Sequence, residues 1–131
     1  MIVKKQIEQM RVLVVEDNFI ASKTAQMVLE SKGCLVDCVF TGKAAIDKLN
    51  NRYDLIILDL GLPDMSGFEL AKAIRNSKDP LALAKIAIVT AFDIEGNKDL
   101  ASQLGISHFI SKPFTIEKCD LILEANSLMG V

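Results

Sequence analysis

The sequence has little cysteine. Cys34, Cys38 and Cys119 are the only three in 131 residues. So few thiols, odd in number, exclude a disulfide framework and point to a reducing compartment, so a cytoplasmic location is expected. Cys34 and Cys38 are spaced C-x3-C with no second Cys/His pair, which leaves a zinc site incomplete. Histidine occurs once, as His108. Its place beside Phe109 and Ile110 on an apolar strand fits a structural residue, not a phosphodonor presented to a partner. Long apolar runs are missing: nothing approaches the roughly 18 residues that span a bilayer. Residues 1–10 are polar and lack the apolar segment of a signal peptide. No membrane contact is expected. An excess of one charge sign is missing too, since 15 basic and 17 acidic residues give −2. That balance offers no electrostatic case for nucleic acid. Neither G-x-x-x-x-G-K-[ST] nor G-x-G-x-x-G is present, so no glycine-rich phosphate cradle is encoded.

What is present describes one folded domain. Half of the residues are hydrophobic, 24% are charged, and prolines number three. The spacing predicts strands over 11–16, 34–40, 54–59, 86–90 and 108–111, the first a short apolar run of the kind buried on both faces. Between and after them lie helical patterns. Residues 19–32 place Ala21, Ala25, Val28 and Leu29 at helical spacing before Gly33. Thr41-Gly42 opens a short helix with Ala45, Ile46 and Leu49 on one face. Ser66-Gly-Phe-Glu69 reads as a capping box for the next helix. A weaker helix over 94–104 contains Gly96. Thr115 caps a last helix with Ile116, Cys119, Ile122 and Leu123 inward. Strict alternation of five strands with five helices implies an α/β, doubly wound, parallel sheet with helices on both faces. Residues 1–10 are read as a polar leader or linker and 11–131 as the domain. No DNA-binding or catalytic output segment is expected after it.

In such sheets, function collects at the carboxyl ends of the strands. The first strand delivers Glu16 and Asp17, the third Asp59, the fourth Thr90 and the fifth Lys112, followed by Pro113. Three carboxylates held together repel unless a cation shares the site. All are hard oxygen ligands, which selects Mg²⁺, or Mn²⁺ in its place, over zinc. A metal, a lysine and a hydroxyl together can neutralise a transferring phosphoryl group. A carboxylate in that setting can itself be the nucleophile. An acid at one strand end is ordinary; agreement of all five positions is not.

Four blocks carry a resemblance: Val14-Val-Glu-Asp-Asn18, Leu58-Asp-Leu-Gly-Leu-Pro-Asp-Met-Ser-Gly67, Val89-Thr-Ala91 and Ser111-Lys-Pro-Phe114. Together, over roughly residues 11–127, the chain resembles the receiver domains of two-component response regulators. The resemblance implies a flavodoxin-like strand order 2-1-3-4-5. It implies that Asp59 is the phosphoacceptor of a histidine-to-aspartate phosphorelay. Asp17, Asp59 and the backbone carbonyl of Gly61 would ligate Mg²⁺, with Glu16 acting through a water. Thr90 and Lys112 would contact the phosphoryl group. Thr90 and Phe109 would form a conformational switch, with Phe109 at a position often held by tyrosine. Pro113 would follow a cis peptide bond. Gly61 and Phe92, two residues past Asp59 and Thr90, would tune dephosphorylation.

The implied partners are a histidine kinase or a histidine phosphotransfer domain. A phosphorylation-dependent dimer would use the face of helix 4, strand 5 and helix 5. The wording of the blocks resembles receivers of hybrid sensor histidine kinases, with a stand-alone regulator as the alternative. Such a domain catalyses its own phosphorylation and dephosphorylation and turns over no external substrate; a hybrid parent would be a histidine kinase. A Mg²⁺-dependent aspartyl-phosphate phosphatase would want an acid two residues past Asp59, where Gly61 stands. A flavin binder would want a Ser/Thr/Gly-rich loop where Glu16-Asp17-Asn18 stands.

Overall fold

The computed structural model describes residues 10–49, 51–77, 84–91 and 95–128. Residues 1–9 of the leader and Phe92 lie outside the described residues. Five strands form one parallel sheet: β1 (Arg11–Val15), β2 (Leu35–Val39), β3 (Leu55–Leu58), β4 (Lys85–Thr90) and β5 (Ile106–Ser111). Their order is β2-β1-β3-β4-β5, as the resemblance implies. Among the described residues the helices are α1 (Phe19–Ser31), α2 (Gly42–Asp47), α3 (Gly67–Arg75), α4 (Lys98–Gln103) and α5 (Ile116–Leu128).

The period of two along each central strand divides the core. Leu13, Val15, Ile56, Leu58, Ile86 and Ile88 face α2 and α3, packing with Ala45, Leu49, Leu70 and Ile74. Val12, Val14, Leu55, Ile57, Ala87 and Val89 face α1 and α5, packing with Leu29, Cys119, Ile122 and Leu123. Both faces are covered, which is why these strands read as unbroken apolar runs. Met10, set by the sequence at the end of the leader, is buried in the second core. Its carbonyl accepts from the Leu35 N–H at 2.9 Å.

Caps and turns follow the local chemistry. The Asn18 side chain accepts from the Ala21 N–H at 2.9 Å, starting α1. Gly33, at φ +92°, reverses the chain after it. Arg75, at the end of α3, donates from Nε to the Leu104 carbonyl at 2.8 Å and from its two terminal nitrogens to Ala84 and Gly105 at 2.6 and 3.0 Å. One guanidinium fork thereby ties α3 to the entries of β4 and β5. Burial pushes the Cys34 thiol up to about 11 and the Cys119 thiol up to about 12, so neither is a ready thiolate.

Four local expectations are corrected. Ile46 is exposed, because Ala45 and Leu49 turn the buried face of α2 one residue away from it. Ile116 is exposed as well; it opens α5 before that helix meets the sheet. The helix expected over 94–104 is a 3-10 turn, Glu95–Asn97, followed by the shorter α4. Gly96 and Asn97 are weak helix formers, so the regular helix begins only after them. In the capping box, Ser66 Oγ accepts from the Glu69 N–H at 3.1 Å. No return bond from the Glu69 carboxylate is among the described contacts.

Candidate functional site

The site follows from register. Val15 and Leu58 are direct partners across β1 and β3, so the next residues, Glu16 and Asp59, emerge side by side. Their backbones stay tied past the strand ends: Glu16 N–H donates to Val39 O and Asp59 N–H to Val15 O, both at 3.1 Å. On the other side, Thr90 pairs with Ser111. The Lys112 N–H then donates to Thr90 O at 2.9 Å. Four strand ends therefore bring Glu16, Asp17, Asp59, Thr90 and Lys112 to one edge of the sheet. The Lys112–Pro113 peptide bond is cis.

Glu16, Asp59 and Thr90 are buried, whereas Asp17 is exposed. Lys112 Nζ lies 3.0 Å from Asp59 Oδ2 and also pairs with Glu16 Oε1. The other Glu16 oxygen accepts from the Asn18 N–H at 3.0 Å. One carboxylate oxygen from each of Glu16, Asp17 and Asp59 falls within 4.8 Å of the others. Three acids around one lysine leave an excess of negative charge. Burial holds the Glu16 carboxyl above its ordinary value, more than the bonds from Lys112 and Asn18 pull it down. For Lys112, burial works against the ammonium, but the bonds to Glu16 and Asp59 outweigh it and hold its pKa up. The excess of carboxylate over ammonium in the pocket attracts a further cation.

The loop after β3 carries Gly61 and is closed on itself. Gly67 N–H donates to Leu60 O at 2.9 Å, and Gly61 bridges to Ser66. The tip is held by Asp64, whose two oxygens accept from the Gly42 and Lys43 N–H groups at 2.9 Å each. Those two bonds hold the Asp64 carboxyl below its ordinary range. Phe109 is half-buried, with its ring 6.1 Å from that of Phe68 at 51°. Beside the acids opens a cleft of about 480 Å³, lined by Ile20, Ala21 and Thr24 of α1 and by the loop from Lys112 to Phe114. Ile20 is exposed, as is its neighbour Phe19, which stacks on Phe40 at 6.4 Å.

Sequence reasoning missed three contributors. Asn18 serves both the α1 cap and Glu16. Asp64 was visible only as part of a quoted block. Lys118, in the first turn of α5, reaches back to the Ser111 and Pro113 carbonyls at 2.8 and 3.1 Å. Nothing in the spacing of a lone lysine signals that contact.

An acidic, lysine-bearing pocket at the carboxyl edge of a sheet ordered 2-1-3-4-5 defines a doubly wound α/β protein of the flavodoxin-like class. Within that class, the response regulator receiver domain family matches residues 12–124, and the chain belongs to that family. It is 37% identical over 109 residues to hybrid signal transduction histidine kinase L of Dictyostelium discoideum, covering 79% of this chain and 6% of that protein. It is 32% identical over 113 residues to the transcriptional regulatory protein CrdR of Helicobacter pylori, covering 86% of this chain and 52% of that protein. The chain thus spans about half of one of these relatives and a small fraction of the other. Among solved structures, response regulator TrrA of Thermotoga maritima, in complex with Mg²⁺ and BeF, aligns with a TM-score of 0.79. That pair is 29% identical, and the alignment covers 90% of this chain and 99% of that one. No helix among the described residues is long and apolar enough to cross a membrane.

Proposed function

We propose that this receiver domain accepts a phosphoryl group on Asp59 from a phosphohistidine, with Mg²⁺ in the acidic pocket. The observation that carries the reading is the contact of Lys112 Nζ with Asp59 Oδ2 at 3.0 Å beside two further acids. The donor set fits the ion: oxygen ligands only, partly open to water, with excess negative charge to offset. Asp17, Asp59 and the Gly61 carbonyl would hold it, Glu16 through a water, and Mn²⁺ would substitute. When bound, Mg²⁺ supplies positive charge shared between the acids and the phosphoryl oxygens. Asp59 attacks phosphorus in line. The P–N bond breaks with its electron pair on the imidazole, which takes up a proton, and an acyl phosphate forms. Lys112 offsets charge on the phosphoryl oxygens, and the Thr90 hydroxyl donates to one of them. The same residues with a water as nucleophile return the carboxylate, so the chemistry is on the domain itself.

Phosphoramidate with Mg²⁺ should therefore add one phosphoryl group, and a chelator should stop the uptake. Asp17→Asn should weaken Mg²⁺ binding by about tenfold or more, read by metal titration in NMR spectra. Uptake indifferent to the chelator, or unchanged affinity in Asp17→Asn, would contradict the ligand set.

The switch reading places Thr90 moving toward the phosphoryl group and Phe109 filling the space it leaves. Phe109 has no hydroxyl to anchor it outward, and it already rests on the core beside Phe68. Beryllofluoride should change hydrogen exchange over α4, β5 and α5, the face through which a dimer would form. Changes confined to α2 would refute this. The similarity to a hybrid kinase supports a receiver segment of such a protein, with a stand-alone regulator as the alternative. The length of the full coding sequence distinguishes them.

A further inference from the structure

We propose that Lys118 is a positioning residue for phosphoryl transfer, acting through Lys112; the proposal rests on the reading of Asp59 and Lys112 above. Lys118 Nζ donates to Ser111 O at 2.8 Å and to Pro113 O at 3.1 Å. These carbonyls flank Lys112 on both sides. Among the described residues Lys112 itself has one backbone tether, its N–H to Thr90 O at 2.9 Å. Without Lys118, the carbonyls on either side of Lys112 lose the one side chain among the described residues that draws them together. The loop is then held at its start by β5 and further on by buried Phe114, with the segment between free to turn about the Thr90 bond.

The stem of Lys118 is anchored for this task. Thr115 Oγ1 accepts from the Lys118 N–H at 3.2 Å, which fixes the first turn of α5 under the loop. The ammonium is a charged donor, and bonds from a charged donor to a carbonyl are the stronger kind. Lys118 does not touch Asp59. Its effect travels through where Lys112 Nζ sits, which lies 3.0 Å from Asp59 Oδ2. Displacing a charge-stabilising group by about 1 Å is enough to slow transfer substantially.

The test is a double-mutant cycle on the whole chain, using phosphoramidate at saturating Mg²⁺. Lys118→Met keeps the stem and the helix preference but removes the donors. It should slow phosphorylation by about five- to tenfold and leave Mg²⁺ affinity unchanged, because no metal ligand moves. Lys118→Arg, which can also donate to two carbonyls, should return the rate to within about twofold of wild type. In a Lys112→Ala background, Lys118→Met should add no further slowing. The Lys112 amide resonance should shift in Lys118→Met and recover in Lys118→Arg. A wild-type rate in Lys118→Met overturns the proposal. So does slowing that adds in full to that of Lys112→Ala, since the effect then does not run through Lys112. A slower Lys118→Met with equally weakened Mg²⁺ binding overturns it too, in favour of general loosening. If Lys112→Ala alone reacts at the wild-type rate, the reading of Lys112 fails and takes this one with it.

Discussion

Asp59→Asn is expected to take up no phosphoryl group from phosphoramidate and Mg²⁺ while keeping its fold. The amide has the shape of the carboxylate but not its charged, nucleophilic oxygen. The backbone that presents residue 59 is fixed independently, by its N–H bond to Val15 O at 3.1 Å. Stability without metal should hold or rise, because Asp59 is one of three acids crowded within 4.8 Å. Glu16 remains to pair with Lys112. Intact-mass spectrometry reads the uptake, and thermal melting reads the fold. Phosphorylation of the variant at the wild-type rate would sink the assignment. A collapsed melting transition would show that Asp59 is structural.

The second large effect is on stability. Gly67 opens α3 directly beneath the loop that follows Asp59. A Cβ there would lie 2.5 Å from the Asp59 carbonyl oxygen, 2.8 Å from Leu58 Cδ1 and 2.9 Å from Leu60 Cα. Two of these three atoms are backbone and cannot turn aside. Gly67→Ala must therefore lift the chain at residues 59–60, where the site is built. The expected cost is about 3 kcal/mol, a melting midpoint lower by roughly 10 °C. Phosphorylation should slow as well. Gly42→Ala is the control. Its Cβ would meet Cγ, Sδ and Cε of Met65, the nearest at 2.5 Å, and a methionine side chain can swing away. Its cost should be about 1 kcal/mol. Equal melting points for the two variants would contradict this view of the loop.

The fold was legible in the sequence because the central strands carry their own periodicity. Val12 to Val15 and Leu55 to Leu58 are apolar on both faces, which only a covered parallel sheet requires. The site was legible because register does the work: residues just past paired strands must meet at one edge. Contacts that depend on a side chain crossing between elements were not. Asp64 reaches the start of α2, Arg75 reaches Leu104 and Gly105, and Lys118 folds back over the loop before its own helix. No spacing rule links such partners. Helix faces near the ends were also misread at Ile46 and Ile116. There, one residue of phase turns a side chain by about 100°. Gly96 shows the limit of propensity: it was placed inside a helix, and the helix starts after it.

The central claim is that one carboxylate among three receives the phosphoryl group. The direct measurement is to phosphorylate the wild-type chain with Mg²⁺, trap the acyl phosphate by borohydride reduction, and sequence the labelled peptide. Reduction at residue 59 alone is the expected result. Label at Asp17, at another carboxylate, or a phosphoryl group held on His108 would contradict it.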